Sequence, residues 1–398
     1  MSPLITARLF RPARLAVVLV LLGAATGCTT VRGWFGSKDD GAPTKPAELV
    51  AFTPGAQVSR LWTASAGKGE ARLGARQGPA VADGRVYAAA VAGGVRAFDL
   101  QTGAVLWRHD SRLRLAGGPG VGDGLVVAGS LDGEIVALDA ATGAERWTAK
   151  VGNEVISAPV IGQGMVFVRS NDGRVTAFDV ATGARRWFWN RDLPPLSVRG
   201  NDSPVLGPGF VFVGNDDGTV AALAVADGRP LWEQVVAAPD GRTDLDRMAD
   251  VDGTPVLDGA TLFASSYKGR TVAIEGPSGR TLWSSDNGGS GRVGLAPDRL
   301  VVADNNGTVW GLDKLSGTAY WQQPGLARRG PGSAAIHGDY AVVGDFAGYL
   351  HWMRLSDGEF VARERAGRAA VRAAPIVVDG ILLVQNVNGD ISAWRLAP

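Results

Sequence analysis

Cysteine is almost missing from this chain. Cys28 is the single one among 398 residues, so no disulfide can form within it. Histidine is nearly as scarce: His109, His337 and His351 are scattered, and none has metal-ligand spacing. No G-x-S-x-G elbow or phosphate-binding loop occurs. Asp250-Val251-Asp252-Gly253 lacks the alternating ligand run and distal Glu of a calcium loop. We therefore expect no catalytic, cofactor-binding or metal-ligating residue. Charge of one sign is missing too, because 40 Lys and Arg face 39 Asp and Glu for a formal +1. Residues 1–27 hold Arg8, Arg11 and Arg14 and no acid, so without them the charge is +1 − 3 = −2. A near-neutral body gives no reason to expect nucleic acid as a partner. The apolar run near the start, Leu15 to Ala25, is about 11 residues, where a membrane-crossing helix needs about 20.

What stands at the start is a secretory signal. Three arginines precede the short apolar run, and Ala25-Thr26-Gly27 supplies small residues before Cys28, the layout of a cleaved bacterial leader. The segment resembles the lipobox of bacterial lipoproteins, with Ala25 where that family prefers Leu. The resemblance implies that residues 1–27 are removed and Cys28 is acylated. Thr29 follows it, and Asp in that place commonly retains a lipoprotein at the inner membrane, so the expected address is the outer membrane, facing the periplasm. Residues 28–52 are rich in Gly, Pro, Ser, Lys and Asp. They hold too few apolar residues to bury themselves and read as a flexible tether.

Residues 53–398 are organised by a repeat. Ala137-Leu138-Asp139-Ala140-Ala141-Thr142-Gly143-Ala144-Glu145-Arg146-Trp147 follows an A-x-D-x-x-T-G-x-x-x-W pattern, which recurs at Ala97 to Trp107 and Ala177 to Trp187. Looser copies end at Trp232, Trp283 and Trp321, and a seventh has Ala362 in place of Trp. A period near 40 marks a repeat architecture. Each copy breaks into four short strands around Asp-Gly or Asn-Gly turns, and continuous apolar runs such as Leu125 to Gly129 suit strands covered on both faces. Second-strand runs starting at Val86, Leu125, Met165, Phe210, Leu262, Leu300, Tyr340 and Ile381 number eight. The predicted fold is all-β, an eight-bladed β-propeller of four-stranded antiparallel blades. Gln57 to Trp62 closes the last blade as the fourth strand that the C-terminus lacks, which removes an open edge. One Trp per blade at one register reads as packing between blades.

The repeat resembles the tryptophan-docking motif of quinoprotein-type propellers, a superfamily of both enzymes and non-enzymes, so it bears on fold and not on function. Its spacing is irregular in two places. Successive repeat tryptophans from Trp107 lie 40, 40, 45, 51 and 38 residues apart. The added lengths read Leu193-Pro194-Pro195-Leu196-Ser197-Val198-Arg199-Gly200-Asn201-Asp202-Ser203-Pro204 and Thr243-Asp244-Leu245-Asp246-Arg247-Met248-Ala249-Asp250-Val251-Asp252-Gly253-Thr254-Pro255. Both fall in connections between blades, on one face of the ring.

These stretches resemble the L-S-[LV]-R-G and D-R-[LM]-x-D-[VI]-D-x-T-P loops of the BamB family, lipoproteins of the outer-membrane β-barrel assembly machinery. The resemblance implies a non-enzymatic scaffold that docks on a periplasmic POTRA domain of the BamA insertase and assists folding and insertion of β-barrel proteins. It gives Leu196, Val198, Arg199, Asp250 and Asp252 as contact residues. Read from the residues alone, Arg199 and the two acids also suit pairing with each other inside the loops. Other assembly-machinery subunits and unfolded outer-membrane protein strands are further candidate partners. Two rival readings are a quinoprotein-type enzyme with its cofactor at the ring axis, and a periplasmic glycan-binding lipoprotein using Trp189, Trp310 and Trp352.

Overall fold

The computed structural model describes residues 45–70, 76–197 and 203–397. Cys28, Val198 and Arg199 lie outside the described residues. Pro46–Pro398 forms one compact unit, built of eight four-stranded antiparallel sheets. The one helical element among the described residues is a 3-10 turn at Pro324–Leu326.

Blade 2 shows how the repeat makes a blade. Its strands are Gly120–Gly122, Leu125–Gly129, Glu134–Asp139 and Glu145–Lys150, paired in that order. The first turn has Asp123 at φ 47° and Gly124 at φ 76°, the two positive angles that match a tight turn to strand twist. Leu125–Gly129 is buried throughout, whereas the outermost strand alternates and turns Trp147 inward. The recurring letters of the pattern all act at one corner. Asp139 Oδ1 accepts from the Ala141 and Thr142 amides at 3.0 and 2.9 Å and from the Thr142 hydroxyl at 2.9 Å. Gly143, at φ 74°, leaves its Cβ position to the Trp107 ring of the preceding blade, 2.5 Å away. Trp107 Nε1 then donates to Ala140 O at 3.0 Å.

The same staple joins seven of the eight seams. Trp62, Trp107, Trp147, Trp187, Trp232, Trp283 and Trp321 each donate to a turn carbonyl of the next blade at 2.8–3.0 Å. Packing between blades is thus the role of the repeat tryptophans. Each seam also holds one cluster of buried apolar side chains shared by the two blades that form it.

The eighth seam explains Ala362. Blade 8 takes its inner three strands, Ile376–Val378, Ile381–Gln385 and Asp390–Leu396, from the C-terminus and its outer strand, Val58–Ser65, from the N-terminus. No turn joins the last two, so a Trp at 362 would have no glycine to cover. Trp352 and Trp394 fill that seam instead, edge to face with centroids 6.3 Å apart. The N-terminal segment seals it from outside: the Gly55 amide donates to Val361 O at 2.9 Å, and Phe52 stacks on Phe360 at 5.9 Å. Further back, Ala47 N donates to Ala327 O at 2.9 Å. Arg329, paired with buried Asp345 at 2.8 Å, donates to Ala47 O at 3.1 Å. The stretch expected to continue as tether to Phe52 is therefore held against blades 6 and 7 from Ala47 onward. Composition missed this because Leu49 and Phe52 find their apolar partners only on the finished ring.

Candidate docking site

The connections after blades 3 and 4 are the two longest between blades, with the link from the closing strand to blade 1 next. The first runs from the strand Arg185–Trp189 to Val205–Gly207, the second from Pro230–Val235 to Val256–Asp258. Between them stands one turn of blade 4, Asn215-Asp216-Asp217-Gly218, which joins Phe210–Gly214 to Thr219–Ala224. It holds both connections. Arg191 Nε donates to Asp217 Oδ2 at 2.6 Å and Nη2 to Glu233 Oε1 at 2.9 Å, pinning the base of the first. The Val251 amide donates to Asn215 O at 3.0 Å, and the Val236 amide to Gly218 O at 2.9 Å, pinning the second.

Within the second connection Thr243 and Asp246 exchange hydrogen bonds, amide to side chain, at 3.2 and 3.1 Å. The Thr243 hydroxyl and the backbone amides hold the Asp246 carboxyl below its ordinary range. Arg247 Nε closes the loop on Gly241 O at 3.1 Å, and Lys268 Nζ reaches Ala238 O at 3.2 Å. This compact loop turns Leu245 outward, 65% exposed, and Leu193 and Leu196 of the first connection are 44% exposed each. Val235, at the mouth of the second, is 51% exposed.

The acids lie elsewhere. Asp250 and Asp252 are buried, so they do not present themselves on the surface as contact residues. Their carboxylates and that of buried Asp216 approach within 4.8 Å of one another. Arg169, also buried, donates from Nη2 to Asp216 Oδ1 at 2.9 Å, and the Ser197 hydroxyl of the first connection bonds to Asp216 as well. Burial is the main cause that pushes Asp252 up to about 7, with the Asp250 and Asp216 charges adding and the Arg76 charge opposing. Burial likewise raises Asp216, against the pull of Arg169. Among the described residues these three carboxylates are the group close enough to share an ion, yet Arg169 already supplies a cation there and would repel a second. Their evident effect is mechanical: the cluster joins both connections through the blade 4 turn, which removes exposure from the acids and leaves it to the leucines.

Asp216 and Arg169 escaped the sequence reading, although a signal was there. Arg169 ends an otherwise apolar second strand, and Asn215-Asp216-Asp217-Gly218 carries two acids where Leu131-Asp132-Gly133 has one.

The rival sites fare differently. The axial cavity, lined among others by Arg76, Ser157, Thr254, Arg292 and Ser333, measures about 150 Å³. Small-molecule pockets run from about 300 Å³ upward. Trp352 is fully buried, Trp189 packs into the seam of blades 3 and 4, and Trp310 packs into that of blades 5 and 6 while donating to Asp304 Oδ2 at 3.1 Å. The three therefore form no aromatic platform for a sugar. His337 and His351 are buried and hydrogen-bonded to Gly380 O and Asp345, which accounts for both as structural.

A family model described as "Outer membrane protein assembly factor BamB" matches residues 91–323 and 290–398. The chain belongs to the BamB family. A BamB of Xanthomonas campestris pv. campestris is 59% identical over 396 residues, covering 96% of this chain and 98% of that one. A BamB of Pseudomonas aeruginosa is 42% identical over 383 residues, covering 96% and 98%. Among solved structures, BamB from Moraxella catarrhalis superposes with a TM-score of 0.78 at 25% identity, covering 85% of this chain and all of that one. A quinohemoprotein alcohol dehydrogenase from Comamonas testosteroni reaches 0.67 at 15% identity over 85% of this chain and 76% of that chain, a likeness of fold alone. The relatives are named outer membrane protein assembly factors, and the chain, as a member of their family, is an assembly factor and not an enzyme.

Proposed function

We propose that this BamB-family chain is a scaffold lipoprotein that docks through the connections after blades 3 and 4 onto a periplasmic POTRA domain of a BamA-type insertase. In that position it assists the folding and insertion of β-barrel proteins beside other assembly-machinery subunits. Acylated Cys28 anchors it to the outer membrane with the ring on the periplasmic side. The observation that carries the reading is the group of exposed leucines, Leu193, Leu196 and Leu245, on loops that hydrogen bonds and a buried charge cluster hold in place. Loops fixed on a rigid scaffold are where recognition residues concentrate, and apolar side chains held out in water gain when a partner covers them. Leu196 keeps its expected contact role, with Val198 and Arg199 beside it in sequence; arginine is enriched at interface hot spots. Asp250 and Asp252 support the surface from beneath. Strand addition by an unfolded barrel strand would meet an outer edge of blade 7 that the protein's own Gly55 and Ala56 partly occupy at Val361.

Affinity for a purified POTRA-domain fragment tests this directly. Covering a leucine is worth about 1.5–3 kcal/mol, so Leu196→Ala and Leu245→Asp are each expected to weaken binding about tenfold or more while leaving the melting temperature nearly unchanged. Wild-type affinity in both variants would sink the docking surface. Cys28→Ser should release the protein from membranes, and retention there would refute the anchor.

A further inference from the structure

One side chain holds the second docking connection from across the ring. Arg76 lies on the link from the closing strand Val58–Ser65 to the first strand of blade 1, Ala80–Ala82, four seams away from the link between blades 4 and 5. That places it diametrically opposite on an eight-bladed ring. The half-buried Arg76 nevertheless donates from Nη1 to Ser290 O at 2.7 Å and to Asp252 O at 3.3 Å. It therefore ties the connections on both sides of blade 5 to the segment that closes the ring. At Asp252 it is also the chief charge opposing protonation. The other groups facing Asp252 are Asp250 on the same link, Asp216 on the blade 4 turn, and Arg169 on the second strand of blade 3.

Further restraints on this connection come from neighbouring blades: Asn215 and Gly218 of blade 4, and Lys268 of blade 5, with the Tyr267 amide donating to Asp250 O at 2.7 Å. They hold its start and the Asp250-Val251 pair. The stretch from Asp252 to Thr254 turns toward the axis, where Arg76 and Thr254 both line the central cavity. A guanidinium can bridge two carbonyls from one planar group, which a flexible ammonium does less well.

We infer that Arg76 is a positioning residue of the docking surface, holding the 243–255 connection in register from the opposite side of the axis and so setting where Leu245 is presented. This rests on the docking reading above, and the two can fail separately. The experiment compares full-length wild type with Arg76→Met, Arg76→Lys and Leu245→Asp, by affinity for the POTRA-domain fragment and by amide hydrogen exchange. In Arg76→Met we expect exchange across 243–255 to quicken at least fivefold, with peptides over Leu125–Gly129 unchanged and affinity about five- to tenfold lower. Arg76→Lys, which restores charge and one donor, should recover most of both. Unchanged exchange in 243–255, faster exchange with full affinity, or a lysine variant no better than the methionine variant would each overturn the inference. Full affinity in Leu245→Asp together with Leu196→Ala would overturn the docking reading instead, with the exchange result still reporting whether Arg76 holds the loop.

Discussion

Replacing Asp252 by Asn removes a carboxylate that the fold holds at a cost. The side chain is buried, and among the described residues its Oδ2 has no hydrogen-bond partner. Its carboxyl sits at about 7 against an ordinary 3.8, chiefly through burial. The folded state therefore binds this proton more tightly than the unfolded chain does. Between about pH 4 and pH 7 the unfolded state releases it first, so this group's contribution falls as pH rises through the window, and the penalty is complete above pH 7. At about 1.4 kcal/mol for each pH unit between the two values, it reaches up to about 4 kcal/mol. Burying the replacement amide costs about 1–3 kcal/mol of that gain, which leaves a net of about 2 kcal/mol at pH 8.5. Unfolding entropy is about 2.1 cal/mol/K per residue, or about 0.7 kcal/mol/K for the compact unit Pro46–Pro398. Asp252→Asn should then melt about 3 °C above wild type at pH 8.5, and the gain should vanish or reverse near pH 5. Calorimetry at both pH values reads it. An equal gain at both, or a loss at pH 8.5, would refute the argument that Asp252 is a desolvated, repelled carboxylate.

Two further substitutions examine the ring and the charge cluster. Gly143→Ala and Gly124→Ala share a left-handed backbone, φ 74° and 76°, yet a Cβ at 143 would meet the Trp107 ring at 2.5 Å whereas one at 124 meets nothing within 4 Å. The second should lose about 1–2 kcal/mol from backbone strain and the first clearly more in denaturant titration; equal losses would deny the staple its steric part. Arg169→Ala leaves Asp216 buried without its 2.9 Å partner. We expect a loss of about 3–5 kcal/mol at pH 8, smaller at pH 5, where protonation relieves the stranded acid. A loss independent of pH would show that packing and not charge is what Arg169 supplies.

The ring was legible in the chain because its determinants are local. A turn that needs Asp139, Thr142 and Gly143 within five residues writes itself into the sequence, and repeating it seven times writes the period. The closing strand could be read for the same reason: Trp62 is the outer-strand residue that blade 8 lacks, and it takes its place opposite Ala393. The two long connections stood out as departures from that period, and their letters sufficed to reach the family.

Only tertiary structure decided which of their residues face water. Asp250 and Asp252 look like surface groups by type, and Leu196 and Leu245 like buried ones; the fold inverts both, because the Asp216 turn and Arg169 converge from blade 4 and blade 3 to enclose the acids. Arg76 belongs to this second class. Its partners lie 176 and 214 residues away in the chain, a separation that no local pattern records. The repeat and the closing strand were thus determined by the sequence through short-range rules of turn and register. The division of the two long connections into a buried charged underside and an exposed apolar rim was decided by the closed ring, which brings distant links to one axis and sets, through desolvation, which charges can remain.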